Sequence, residues 1–273
     1  MYQAINKKHP TLSKIIKLVG STSKKSTKII TNVYSKIIKA GIYKTPNIRI
    51  AEASKVLENT QRSVNISLIN EVSVLFDKLN IKTSDVLKAA NTKWNFNHFT
   101  PGLVGGHCIA VDPYYLVHKS KKVGLKSNLI IGSQKINEEM PTIIAKRFLN
   151  IFTKKKIKIR KKKILILGLT FKENCSDIRE SKVFNIIRFL NNKKLDIMTY
   201  DPWVEGKDLG DKLQRNHFKT LKDISNFDGI IIAVAHDYFK KMGIKKIKSF
   251  CKKKSVIFDI KGQFDSKYVD ATL

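Results

Sequence analysis

Between Pro46 and Leu79 the apolar residues Ile50, Ala53, Leu57, Val64, Leu68, Leu75 and Leu79 recur at steps of three, four or seven. That spacing brings side chains to one face of a helix, so the stretch predicts a single long amphipathic helix. A stripe of this length exceeds what a small domain buries, and part of it is expected to pack against another helix or a second subunit. The same period predicts a shorter helix over STSKKSTKIITNVYSKIIKA, where Ile29, Ile30, Val33, Ile37 and Ile38 recur before Gly41. Further helices are predicted around Ser84 to Ala90, Pro113 to Lys122 and Ser127 to Phe152. Residues 1 to 20 show little periodicity.

Beyond the charge-dense run TKKKIKIRKKK (153–163) the pattern changes. KKILILGLT (162–170) is a short, continuously apolar run closed by Gly168, followed by helical spacing through Val183, Ile186, Ile187 and Leu190. Three more apolar runs, Leu195 to Tyr200, Gly229 to Val234 and Ser255 to Asp259, read as buried strands. Strands alternating with helices predict a parallel sheet with helices on both faces, which binds ligands at the carboxyl ends of its strands. The expected class is therefore α/β: an all-helical central domain (42–152), a basic linker (153–163) and a Rossmann-like parallel-sheet domain (164–273).

Composition narrows the function classes. With 273 residues and 42% hydrophobic content the chain supports proper cores. No apolar run approaches the ~18 to 20 residues of a membrane span, and the N-terminus lacks a secretory core, so no membrane association and a cytoplasmic location are expected. The net charge of +31 points to nucleic acid or an acidic surface, but only seven of the 53 basic residues are arginine. Readers of phosphates and base edges favour the arginine fork, which argues against nucleic acid as the main partner. The positive potential still attracts an anionic substrate. Three cysteines without metal-ligand spacing predict neither a disulfide framework nor a metal site.

The candidate chemistry lies in three segments. GLVGGHCIAVDP (102–113) places Cys108 in a glycine-rich loop four residues before Asp112. Gly105 and Gly106 lack the Cβ that would hinder close approach to a ligand, which is a nucleophile's setting; a small side chain packed in a tight turn reads the same way. On the long helix, Glu52, Lys55 and Asn59 share a face that Arg62 and Asn70 extend. Lys55 and Asn59 could both donate to a developing oxyanion, or belong to a solvated polar face. GLTFKENCSDIRES (168–181) sets Lys172, Asp177, Arg179 and Ser181 at a strand-to-helix junction, where helix N–H groups also face an anion. A capped helix start with surface charges is the plainer reading. No G-x-G-x-x-G fingerprint for a dinucleotide occurs.

Taken together, AEASKVLENTQR (51–62), TKWNFNHFTPGLVGGHCIAVDPYYL (92–116), LGLTFKENCSDIRES (167–181), YDPWV (200–204) and AVAHDYF (233–239) resemble the UDP-glucose/GDP-mannose dehydrogenase family of nucleotide-sugar dehydrogenases, from about residue 6 onward. The GGHCIAVDPYYL form is similar to the branch that oxidises UDP-N-acetylhexosamines. The resemblance implies NAD-dependent, two-step oxidation of UDP-N-acetylglucosamine, or a related UDP-N-acetylhexosamine, to the uronic acid in surface-polysaccharide synthesis. It implies Cys108 as nucleophile, Lys55 and Asn59 as oxyanion donors, Asp112 in proton transfer or hydrolysis, and Lys172 and Arg179 at the nucleotide sugar. It also implies a homodimer through the helix at 46–79. Family members begin with an NAD-binding Rossmann domain; here residues 1–41 correspond to its tail, and residues 1–20 are expected to be poorly ordered. The expectation is an intact substrate half whose cofactor-binding residues are not identified. A separate NAD-binding polypeptide is one possible partner, and the alternatives are a non-catalytic UDP-sugar binder and a basic nucleic-acid-binding protein.

Overall fold

The computed structural model describes residues 11–273, so expectations for residues 1–10 lie outside it. The chain forms two compact units that divide between Arg62 and Ser63. The first contains strand β1 (Lys17–Val19), helix α1 (Lys24–Ser35) and strand β2 (Ile42–Lys44), with β1 and β2 parallel and Leu18 opposite Tyr43. Ser23 caps α1 by accepting the Ser26 N–H at 3.1 Å. The sequence reading leaves residues 11–20 without an element. Strands of three residues carry too few positions for alternation to register, which is why β1 escapes it. Helix α1 buries none of its residues, and Ile29, Val33 and Tyr34 are exposed.

The division falls inside α2 (Ile48–Lys78), the single long helix that the apolar stripe predicts. In its second half the buried side chains are mostly small and polar, namely Ser63, Ser67, Asn70 and Ser73, while the stripe residues Leu68 and Leu75 stay exposed. Helices α3 (Thr83–Ala90), α4 (Asp112–Lys122) and α5 (Asn128–Lys154) follow close to their expected bounds.

The sheet is built from β3 (Lys163–Leu167), α6 (Val183–Asn192), β4 (Asp196–Tyr200), α7 (Asp211–Arg215), β5 (Phe227–Ile232), α8 (Asp237–Ser249, kinked at Gly243), β6 (Cys251–Asp259) and β7 (Ala271–Thr272). Its order is β4-β3-β5-β6-β7, all parallel. Ile164 to Leu167 of β3 are wholly buried because both faces are covered. Ile164 and Ile166 join Met140, Ile144, Phe148 and Phe152 of α5 and Ile186 of α6, whereas Leu165 and Leu167 join Phe239 and Ile247 of α8. Each such side chain contributes about 1.5–3 kcal/mol by leaving water. Gly229 of β5 makes room for α5, since a Cβ there would lie 2.6 Å from Phe148 Cζ. The core thus runs through α5 into the sheet, and the basic run 153–163 connects the two. The α/β class, with α2 to α5 ahead of the five-stranded parallel sheet, is as the pattern predicts, but β2 is a strand inside the stretch 42–152 expected to be all-helical, too short for alternation to register. Strands β4 and β5 flank β3 on opposite sides, so the loops leaving β3 and β5 diverge and open a crevice at their carboxyl ends.

Candidate active site

At that crevice β3 turns at Gly168, whose φ of +93° suits glycine and where a Cβ would lie 2.6 Å from Val234. The segment from Thr170 to Lys172 then lines the crevice with Gly105, Ser181, Val183, residues 233–235 and Lys261. Lys172 is exposed and its Nζ lies 5.5 Å from the centre of the Phe171 ring. Lys182, at the same opening, pairs with Glu138 at 2.7 Å. Ser181 is buried where α6 begins.

The cysteine loop is fastened to this crevice from below and from the side. From below, Asn70 of α2 accepts the Gly102 N–H at 2.8 Å and donates to the Gly102 carbonyl at 3.0 Å. Asn70 also donates to Asn137 Oδ1 at 3.0 Å, and Asn137 and Gln134 of α5 donate to Ser63 Oγ at 3.2 and 2.9 Å. All four side chains are buried, so their partners offset the desolvation each would otherwise suffer. From the side, a Cβ on Gly105 would lie 2.7 Å from the Glu180 carbonyl, and one on Gly106 (φ +79°) 2.8 Å from Phe171 Cδ2. The close approach these glycines permit is therefore to the neighbouring loop, with Gly105 also lining the crevice.

Cys108 is exposed. Its carbonyl accepts the Val111 and Asp112 N–H groups at 3.1 and 2.8 Å, so the thiol sits one helical turn before Asp112, the first residue of α4. Pro113 follows at the start of the helix, where its missing N–H costs nothing. His107 Nδ1 approaches Asp177 Oδ2 at 3.9 Å, linking the cysteine loop to the loop after β3. Arg179 forks onto Asp177 through Nε and Nη2 at 2.9 and 2.7 Å. That guanidinium, outweighing partial burial, brings the Asp177 carboxyl down to about 2. Arg179 is thus anchored to its own loop while remaining exposed at the surface.

Lys55 and Asn59 stand on α2 in the first unit. Lys55 is exposed and pairs with Glu58 at 3.1 Å, which also holds Arg62 at 2.6 Å; Asn59 is buried. Sequence reading put Asn70 on the same polar face, yet Asn70 is a buried brace for the cysteine loop. Asn137, Gln134 and Lys261 escaped it altogether, because nothing in the local sequence signals a partner dozens of residues away.

A dinucleotide is held on a glycine-lined turn with open helix N–H groups, and neither the turn after β1 nor the turn after β3 has that form. At the loop after β1 the first turn of α1 is capped by Ser23, and the space a Cβ on Gly20 would take holds Thr45 Oγ1. At the loop after β3 the corresponding space on Gly168 is filled by Val234. Among the described residues no three His, Cys, Asp or Glu side chains gather as metal ligands, and no helix is long and apolar enough to cross a membrane.

Against known proteins, the chain matches the central domain of the UDP-glucose/GDP-mannose dehydrogenase family over residues 49–139 and that family's UDP binding domain over 165–266. The UDP-N-acetyl-D-glucosamine 6-dehydrogenase of Salmonella typhi is 41% identical over 268 residues, covering 98% of this chain and 63% of that protein. Protein CapL of Staphylococcus aureus is 42% identical, covering 94% of this chain and 60% of that protein. The solved structure of the UDP-D-ManNAc dehydrogenase from Pyrococcus horikoshii superposes with a TM-score of 0.79 at 30% identity, covering 92% of this chain and 57% of that one. The chain spans less than two thirds of the length of these relatives.

Proposed function

This chain belongs to the UDP-glucose/GDP-mannose dehydrogenase family, and on that premise we propose that it supplies the substrate-holding, thiol-bearing part of an NAD-dependent oxidation of UDP-N-acetylglucosamine, or a related UDP-N-acetylhexosamine, to its uronic acid. The observation that carries this reading is the exposed Cys108 on a loop whose glycines pack onto Phe171, beside the crevice lined by Lys172.

In this reading Lys172 and Arg179 hold the anionic nucleotide end, and Gly105 and Gly106 bring the cysteine loop against that pocket. Cys108, as thiolate, adds to the carbonyl carbon of a C6 aldehyde: the carbon–sulfur bond forms and the carbonyl electron pair moves to oxygen. Asp112, one turn on, takes part in proton transfer and in the hydrolysis of the thioester that two-electron oxidation of this adduct by the hydride acceptor would leave, when water adds and the thiolate leaves. Lys55 and Asn59 are assigned to the oxyanion on the strength of the AEASKVLENTQR motif. The hydride acceptor is NAD by family, and no hydride step is derived from these residues. A separate NAD-binding polypeptide is one source of that site. The exposed Leu68 and Leu75 on α2 favour a homodimer along that helix.

A second reading, a UDP-sugar binder without turnover of its own, rests on the match to the family's UDP binding domain over residues 165–266. The deciding experiment gives the folded chain UDP-N-acetylglucosamine and NAD and follows NADH, with UDP binding measured in parallel by calorimetry. UDP binding without NADH fits a substrate-holding part that needs its acceptor site supplied. NADH production that disappears in Cys108→Ala shows that the chain holds an acceptor site itself, and failure to bind UDP removes both readings.

A further inference from the structure

Three of the segments that carry the family resemblance, 167–181, 200–204 and 233–239, converge on a single side chain that the reading above does not use. His236 is wholly buried. Its Nδ1 accepts the backbone N–H of Asn174 at 2.9 Å. In the neutral ring this places the proton on Nε2, an assignment that follows from the partners. Nε2 lies 3.1 Å from Asp201 Oδ2 and 3.2 Å from Thr170 Oγ1. The Thr170 hydroxyl donates in turn to the Lys172 carbonyl at 2.8 Å.

The partners are themselves tied down. Asp201 Oδ2 accepts the N–H groups of Leu169 and Thr170 at 2.6 and 3.3 Å, and Oδ1 accepts that of Trp203 at 2.8 Å. The Asn174 and Asp237 pair exchanges two bonds, Asn174 Nδ2 to Asp237 Oδ2 at 3.0 Å and the Asp237 N–H to Asn174 Oδ1 at 3.1 Å. Gln263, beyond β6, donates to the His236 carbonyl at 3.0 Å. The turn from Thr170 to Asn174 is therefore held at its first residue, at the carbonyl of its middle residue and at its last. Asn174 has a φ of +56°, a backbone state that persists only where its surroundings impose it.

We propose that His236 is a positioning residue: it fixes the Thr170–Asn174 turn and so presents Lys172 to the phosphate groups of a nucleotide ligand. The proposal rests on the reading of the crevice as a nucleotide-sugar site. Filling space does not explain the histidine, because a phenylalanine or leucine fills a buried pocket without needing polar partners. What this place demands is one acceptor toward Asn174 and one donor toward Asp201 and Thr170 in a single rigid ring, and a neutral imidazole provides both. Being fully enclosed, the ring acts through Lys172 without touching the ligand.

The two amide substitutions separate the two ring nitrogens. In His236→Asn the side-chain oxygen stands in for Nδ1, and in His236→Gln the side-chain nitrogen stands in for Nε2. Calorimetry with UDP on the whole chain is expected to show His236→Gln binding about tenfold or more weakly, and His236→Asn within about threefold of the parent, at similar melting temperatures. Both variants binding as the parent does, or both losing affinity equally, overturns the proposal. If neither variant folds, hydrogen exchange at the Asn174 amide of the parent chain decides: protection that deepens on adding UDP supports it, and exchange at the unprotected rate overturns it. A parent chain that does not bind UDP at all defeats the reading of the crevice, while the Asn174 amide still reports on the clamp.

Discussion

Two of the chain's strand–helix–parallel-strand units meet opposite fates. In β3-α6-β4 the helix buries Val183, Ile186, Ile187 and Leu190, and strand β3 is covered on both faces. In β1-α1-β2 the helix carries a comparable stripe, Ile29, Ile30 and Val33, yet buries none of its residues. Period selects the kind of element in both places. Burial depends on what stands around the element, five strands in one case and, among the described residues, two in the other. Two strands give too little surface for a helix to cover, which leaves such a unit marginal alone.

Hydrogen exchange puts the largest number on this contrast: amides of β3 and β5 should open only with global unfolding, and those of β1 and β2 by local opening orders of magnitude faster. Equal protection would break the comparison. Next, Phe148→Ala, which strips the face of β5 at Gly229, should cost about 3–5 kcal/mol by denaturant titration. Asn70→Ala leaves the Gly102 amide and carbonyl unpaired, with an expected cost of about 1–3 kcal/mol and a change in the rate of Cys108 alkylation.

An acid titration sharpens the contrast further. Burial pushes the Asp228 carboxyl up, but the Lys163 N–H and the ammonium groups of Lys252 and Lys162 outweigh it, so its folded value lies below the ordinary 3.8. A depressed value means stability that is present above 3.8 and lost as pH falls through the folded value, so the sheet should weaken below about pH 4 and Asp228→Asn should flatten that slope. Smallest of all, Ile29→Ala or Val33→Ala should shift stability by no more than about 0.5 kcal/mol in the chain alone.

Long periodic stretches were legible. Helices α2 to α5 and strands β3 to β6 stand close to where apolar spacing puts them, because each buries or displays a continuous stripe. Helix α8 was not legible: lysines at 240, 241, 245, 246 and 248 and the kink at Gly243 blur its period, while only Phe239 and Ile247 are buried. Strand β7 spans only Ala271–Thr272. At the site, Cys108 and Lys172 could be singled out by their glycine and strand-end settings. The work of Gly106 could not, since its neighbour Phe171 comes 65 residues later in the chain. His236 and Asn137 were invisible for the same reason: each is explained by partners far away in sequence.

Helix α5 has a practical consequence for anyone dissecting or recombining this protein. The lysine-rich stretch after it looks like a hinge, the natural place to cut or to graft a foreign module. A break there would strand Phe148 and Phe152 on one fragment and the strands they cover on the other. The same helix carries Gln134 and Asn137, so the damage would travel from the sheet to the brace beneath Cys108. The sheet and the thiol loop are therefore inherited, exchanged or lost together.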